Sequence, residues 1–291
     1  MKKWLLMLAL CLLLPLTALA DALPVDFSAG PVAKEENYTE TGYQDETLTV
    51  EMSRVWVGNA CYNMARVKIA DASQLRTALA ASFGSSKTNK VSTLARTNNA
   101  VVAIGGDYYN NRTKGFVVRQ GEVYTKTRAS SLDMLCIDDK GDFHILPQSD
   151  PTMLKELVAN TTLVNVFNFG PALVIDSVLQ EIPSGFQFNP NGKEPRCAIG
   201  QLGELEYLLV VVDGRDAKAP TEDGGTKASK GCTIAELAQF MADQGCVQAF
   251  NLDGGNSALM VFHGENYSSK SFSAERSVSD IIYIATGVIG E

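Results

Sequence analysis

Hydrophobic and polar positions alternate with a period of two over residues 48–57 and again over 65–69, the pattern of paired, half-buried strands. Continuous apolar runs at 100–104 and 207–212 read as buried strands, and residues 163–169 read as a further strand. Shorter runs at 247–250, 258–262 and 281–284 repeat that signal. The 163–169 run halts at Gly170-Pro171 and is expected to continue over 172–175. Arg119-Gln120-Gly121 and Asp138-Asp139-Lys140-Gly141 mark hairpin turns.

Helical spacing predicts three helices. Residues 71–83 place Leu75, Ala78 and Leu79 on one face. Asp150-Pro151 supplies an N-cap followed by proline at the first helical position, and Leu154, Leu157 and Val158 give an apolar face. Thr233-Ile234-Ala235-Glu236 is a capping box, in which hydroxyl and carboxylate each satisfy a first-turn amide. Ile234, Leu237, Ala238 and Met241 then follow helical spacing, and Gly245 closes the helix. Residues 21–46 are polar and read as a flexible leader. Residues 84–90 read as a loop, 183–195 as a surface loop and 216–230 as a mobile flap. Strands outnumber the scattered helices and no repeat is evident. The expected class is α+β, a mixed β-sheet domain over residues 47–291.

Residues 1–20 read as a secretory signal. Lys2 and Lys3 form the charged start, an apolar stretch follows, and Ala18-Leu19-Ala20 is a small-residue cleavage site. The apolar stretch is shorter than the roughly 20 residues of a spanning helix. Leu10 stands before Cys11 where a lipid-attachment cysteine wants a small residue. The expected location is therefore secreted or extracytoplasmic, with no stable membrane insertion. Losing Lys2 and Lys3 with the signal takes the net charge from −8 to −10, a poor balance for nucleic acid. An anionic substrate then needs a local arginine cluster. Five cysteines remain (Cys61, Cys136, Cys197, Cys232 and Cys246), an odd number without metal-ligand spacing, and they read as small buried thiols. His144 and His263 are the only histidines, which argues against a histidine metal site or a Ser-His-Asp triad.

Three apolar runs end in acidic, glycine-containing turns, at Asp107, Asp213 and Asp253. Strands fix such groups and turns expose them. The richest turn is Asn251-Leu252-Asp253-Gly254-Gly255-Asn256-Ser257, where paired glycines let a ligand approach the main chain. Arg196 and Arg215 stand at strand boundaries, and a guanidinium grips a phosphate through two parallel hydrogen bonds. Carboxylates beside arginines suit hydrolysis of a phosphorylated sugar: one carboxylate moves a proton while arginine holds the diester charge. Tyr108 and Tyr109 offer faces for a sugar ring. No cofactor is required on these residues. Ca²⁺ or Mg²⁺ on the aspartate oxygens is the alternative, without EF-hand spacing to support it.

Motifs recur in a familiar order: Ile104 to Tyr109, Phe169-Gly170-Pro171-Ala172, Pro195-Arg196-Cys197-Ala198-Ile199-Gly200, Asp213-Gly214-Arg215, Gly231-Cys232-Thr233, Asn251 to Ser257, and Glu275-Arg276-Ser277-Val278-Ser279-Asp280. From about Leu48 onward the chain resembles the phosphodiester glycosidase family. That family includes the lysosomal uncovering enzyme, which removes N-acetylglucosamine from a mannose 6-phosphate diester, and many secreted bacterial members labelled exopolysaccharide-related. The resemblance implies a pocket lined by Asp107, Arg196, Asp213, Arg215, Asn251, Asp253, Gly254, Gly255 and Ser257, with Arg276 beside it. Asp253 is the first candidate for acid/base work, then Asp107 and Asp213. Arg196, Arg215, Asn251, Gly254, Gly255, Ser257 and Arg276 are the substrate and phosphate candidates. The implied substrate is a phosphorylated glycan or glycosyl phosphodiester of an envelope or extracellular polysaccharide, the sugar of N-acetylglucosamine type. The alternative is a non-catalytic carbohydrate- or envelope-binding protein that keeps the pocket. The chain departs from the family in four places: it has Gly105-Gly106 for Asn-Gly, Cys197 for threonine, Asn256 for a third glycine and Ala258 for a second serine.

Overall fold

The computed structural model describes residues 20–107, 115–127 and 132–289. Three sheets enclose a shared core, and each carries one helix on its outer face. The largest has nine strands, ordered Val178–Leu179, Ala172–Ile175, Gln248–Leu252, Arg196–Gly203, Glu206–Val212, Ala60–Ile69, Leu48–Val57, Gly42–Gln44 and Tyr38–Thr39. A second sheet orders Glu122–Thr127, Gly115–Arg119, Leu163–Phe167, Met134–Asp138 and Phe143–Leu146. The third orders Glu265–Asn266, Met260–Phe262, Val102–Gly105, Asp280–Ile284 and Leu75–Leu79. All pairings between these strands are antiparallel. The class is α+β, and the mixture is one of strands with helices rather than of strand directions.

Strand periodicity builds the layers. Val102 and Ile104 enter the central core while Ala103 faces outward. Leu135 and Ile137 do the same against Met134 and Cys136, and Cys197 and Ile199 against Ala198. Each fully buried Leu, Ile or Phe side chain contributes about 1.5–3 kcal/mol. The outward residues are covered by α1 (Val91–Thr97), α2 (Pro151–Asn160) and α3 (Ile234–Asp243). The Thr233–Glu236 capping box forms as expected, and α3 buries Ile234, Leu237, Ala238 and Met241. Asp150 caps α2 through the amides of Thr152 and Met153. Leu154 and Leu157 pack on their sheet, whereas Val158 points to solvent.

Four expectations are corrected. Residues 71–83 hold only a short 3-10 turn, Ala72–Gln74, followed by the strand Leu75–Leu79. Helical spacing of the apolar residues was misleading because the polar ones are buried too: Arg76 bonds the Tyr283 hydroxyl, and Thr77 bonds Asn165. Residues 172–175 do not extend the 163–167 strand; the Gly170-Pro171 corner carries the chain into the nine-stranded sheet. Residues 21–46 are folded rather than a loose leader. Leu23 and Tyr43 are buried, Arg76 donates to the carbonyls of Pro24, Asp26 and Ser28, and Gly42–Gln44 joins the large sheet. The expected flap contains a hairpin, Ala217–Pro220 with Thr226–Ser229, held by the Trp56 indole on the Pro220 carbonyl.

The secretory signal expected at 1–20 lies, apart from Ala20, outside the described residues. No helix among the described residues is long and apolar enough to cross a membrane. The five cysteines from Cys61 onward are buried and unpaired.

Candidate active site

Four turns converge at one end of the central strands of the large sheet. Its register sets Arg196 opposite Val212, Cys197 opposite Leu252 and Ala198 opposite Asn251. Asp213 and Asp253 therefore leave their strands beside the start of Arg196–Gly203. The third sheet joins them, because the Asp253 amide donates to the Gly106 carbonyl at 3.2 Å. The glycine pair has a geometric reason. The Gly255 amide donates to the Pro195 carbonyl at 2.8 Å, with Gly255 at φ +58°, and a Cβ on Gly254 would lie 2.9 Å from that same oxygen.

A cavity of about 280 Å³ opens here, walled by Glu194, Arg196, Arg215, Asn251, Asp253, Gly254 and Gly255, with Phe169 and Phe188 on its apolar side. Asp253 is partly exposed. Asn251 is buried, and its Nδ2 donates to the Gly170 carbonyl at 2.6 Å. Its Oδ1 is buried and accepts no hydrogen bond among the described residues.

The two arginines differ. Arg196 is buried and committed to main chain: Nε donates to the Cys232 carbonyl, Nη1 to Phe188, and Nη2 to both Asn189 and Gly192, at 2.7–3.2 Å. A guanidinium has five N–H groups, so Arg196 retains one, and the expected two-pronged grip on phosphate is not available to it. Its role is to hold the 188–192 loop that brings Phe188 to the cavity. Arg215 is oriented but not consumed. Its Nε donates to Glu194 Oε2 at 2.7 Å and its Nη1 to Asn256 Oδ1, while Nη2 makes no hydrogen bond among the described residues.

The family model for phosphodiester glycosidase matches residues 98–285, well over half of the chain and the whole of this cavity wall. The chain belongs to the phosphodiester glycosidase family. A relative in Bacillus subtilis strain 168, the SPbeta prophage-derived uncharacterized protein YomE, is 26% identical over 208 residues. The match takes in 70% of this chain but only 30% of that relative's length. The fold is similar to the catalytic domain of zebrafish N-acetylglucosamine-1-phosphodiester alpha-N-acetylglucosaminidase, with a TM-score of 0.62 at 18% identity, covering 88% of this chain and 87% of that one. It is also similar to a putative exported protein of Burkholderia pseudomallei K96243, with a TM-score of 0.52 at 16% identity over 78% and 74% of the two chains.

Against the family pattern, Asn256 is an addition with a visible consequence, since its side-chain oxygen pins Arg215. Of the three candidate carboxylates, only Asp253 lines the cavity among the described residues. Asp107 is buried behind it: Oδ2 accepts from the Asn168 amide at 2.9 Å and lies 3.8 Å from Arg119. Its own amide donates to Asp280 Oδ1 at 2.8 Å, and Arg119 Nε reaches Asp280 Oδ2 at 2.7 Å. Burial raises the Asp280 carboxyl to about 6, against the lowering pull of Arg119. Gly106 is required at this corner, because a Cβ there would meet Asp280 Oδ1 at 2.5 Å.

Asp213 is likewise buried. Its Oδ1 accepts from the Ser269 amide at 2.9 Å and its carbonyl from the Ser229 hydroxyl, so it ties the Thr226–Ser229 strand and the Ser269 segment to the turn that carries Arg215. Burial raises its carboxyl to about 6, offset in part by Asn63, Ser269 and Arg54. The native carboxyl thus keeps its proton to about pH 6, whereas the unfolded one releases it near 3.8. Native stability is lost as pH rises through that window, by about 3 kcal/mol when ionisation is complete. Asp213→Asn has no such loss. Relative to wild type it is expected to gain about that much between pH 4 and pH 7 in urea unfolding. A difference independent of pH would contradict the burial argument.

Ser257 is buried, its carbonyl lying where a side chain on Gly105 would come within 2.8 Å, and it does not line the cavity. Arg276 is exposed, just before the short strand Ser277–Val278 that pairs with Asn89–Lys90, and also stands outside the cavity lining. Tyr108 and Tyr109 lie outside the described residues. Among the described residues no group of three or more His, Cys, Asp or Glu is placed to hold a metal ion. Sequence reasoning missed Glu194 and Phe188 in the cavity wall and the buried Arg119–Asp280 pair beside Asp107. The Arg119 signal was present: a charge closing the apolar strand Gly115–Arg119 needs a buried partner.

Proposed function

We propose that the protein is a secreted hydrolase that removes a sugar of N-acetylglucosamine type from a glycosyl phosphodiester in an envelope or extracellular polysaccharide. The observation that carries this reading is one cavity combining a partly exposed carboxylate, Asp253, with a guanidinium, Arg215, whose Nη2 is uncommitted. Arg215 binds the anionic phosphate oxygen. Phe188 covers an apolar face of the ring. Asp253 moves the proton: water adds to the electrophilic centre, the bond to the leaving oxygen breaks, and that oxygen leaves protonated. The scheme uses side chains alone. The signal-like first 20 residues support secretion.

The test is turnover of an N-acetylglucosamine phosphodiester, UDP-N-acetylglucosamine included, in ¹⁸O water. Label is expected in one product. In the sugar hydroxyl it marks C–O cleavage, and in the phosphate P–O cleavage. Diester binding without labelled product would overturn the hydrolase and leave the glycan-binding alternative.

A further inference from the structure

We infer that Glu194 makes this cavity selective for singly charged phosphodiesters over doubly charged phosphomonoesters. This rests on the substrate class proposed above and concerns the same site. Four charged residues line the cavity: Glu194, Asp253, Arg196 and Arg215. Formally they cancel, but their availability does not. Arg196 is buried with four of its N–H groups on carbonyls. Arg215 is the cation a ligand meets, and it arrives already paired with Glu194 at 2.7 Å.

Glu194 is itself held in place. Its Oε1 accepts from Asn189 Nδ2 at 3.1 Å, and its backbone bridges to Cys232. Gly214 and Gly231 leave room for that backbone, since a Cβ on Gly214 would lie 2.7 Å from the Pro195 nitrogen and one on Gly231 2.4 Å from the Glu194 carbonyl oxygen. The other groups around Glu194 bring no spare positive charge. Cys232 is buried and its thiol is pushed up to about 12, so it stays neutral. Lys193 is engaged with Glu236, and Lys230 with Asp216.

A phosphodiester brings one negative charge and meets Arg215. A monoester takes a second charge with a pKa near 6. That second charge finds only the buried Arg196, with one N–H left over from main-chain carbonyls, and it faces Glu194 and Asp253, where like charges at contact distances cost binding. The discrimination therefore appears above about pH 6 and vanishes below it. For C–O cleavage the consequence is kinetic: the phosphomonoester product is rejected by the site that held the diester.

The test titrates N-acetylglucosamine 1-phosphate and its methyl diester into wild type, Glu194→Gln and Asn256→Gly at pH 5 and pH 8. Comparing two ligands at one pH cancels protein ionisation common to both. Wild type is expected to prefer the diester about tenfold at pH 8 and by less than about twofold at pH 5. Glu194→Gln keeps an acceptor for Arg215 Nε but loses the charge, and its preference at pH 8 is expected to fall to about twofold. Asn256→Gly changes orientation without charge, so both ligands weaken and the preference stays. An unchanged preference in Glu194→Gln, or a wild-type preference equal at both pH values, overturns the selectivity while diester binding stands. Wild type that binds neither ligand overturns the substrate class and the selectivity together. Thermal melts of each variant separate loss of fold from loss of binding.

Discussion

Asp253→Asn is expected to lower kcat on the phosphodiester by about 10²–10⁴-fold, the usual worth of a positioned proton-transfer group. Stability is expected to change by less than about 0.5 kcal/mol, because the side chain is partly exposed and the tie to the third sheet runs through the backbone amide. Asparagine fills the same volume, and removing a negative charge beside Arg215 preserves diester binding or tightens it. The expected signature is a fallen kcat with KM unchanged or lower, read from steady-state kinetics alongside a thermal melt. Full turnover by the variant would remove Asp253 from the chemistry. Loss of activity with an equal loss of melting temperature would make it a structural residue.

That Asp253 rather than Asp107 or Asp213 lines the cavity was only partly legible in the sequence. Three Asp-bearing turns after apolar runs look alike on the page, and all three do meet at one end of the fold. Burial separates them. Asp107 and Asp213 accept hydrogen bonds from backbone amides of other loops, which fixes those loops, while Asp253 remains at the cavity wall. A turn motif reveals that a carboxylate is needed, not which way the next sheet will cover it. The arginines divide for the same reason. The 183–195 loop is proline- and glycine-rich and has few regular backbone bonds of its own, so its carbonyls are satisfied by Arg196, and Arg215 is the arginine left with an uncommitted N–H group at the cavity.

The elements were legible where one face is apolar. The Thr233 capping box and the 48–57 alternation gave α3 and one of the two longest strands nearly as they stand. They were illegible where polar side chains are buried among the apolar ones. In Leu75–Leu79, Arg76 and Thr77 have partners 207 and 88 residues away, so no local pattern could distinguish a buried polar strand from an amphipathic helix. Residues 21–46 misled by composition: their polarity suited Arg76, which collects three of their carbonyls.

Arg119→Met is expected to produce the largest loss of stability, about 3–5 kcal/mol at pH 8, because it leaves carboxylates buried without their cation. Arg119 and Asp280 are wholly buried 2.7 Å apart, Asp107 lies 3.8 Å from the same guanidinium, and the ring of Phe167 lies beneath it at 4.1 Å. Methionine keeps much of the packing volume, so the loss reports charge rather than a cavity. The pH dependence distinguishes the two. Asp280 already holds its proton to about pH 6 in the native state, and removing Arg119 raises it further. Below that value the carboxyl is neutral and the missing cation matters little; above it, ionisation or forced protonation costs stability. The deficit is therefore expected to grow from pH 5 to pH 8 in urea unfolding. Arg119→Met combined with Asp280→Asn is expected to recover part of it at pH 8, since asparagine still accepts from the Asp107 amide. A deficit equal at both pH values, or no recovery in the double variant, would mean that Arg119 serves only as packing. The activity of the double variant then bears on the site: with the fold restored, any remaining loss measures how far the Gly106-Asp107 corner, through its bond to the Asp253 amide, sets the position of the carboxylate proposed to react.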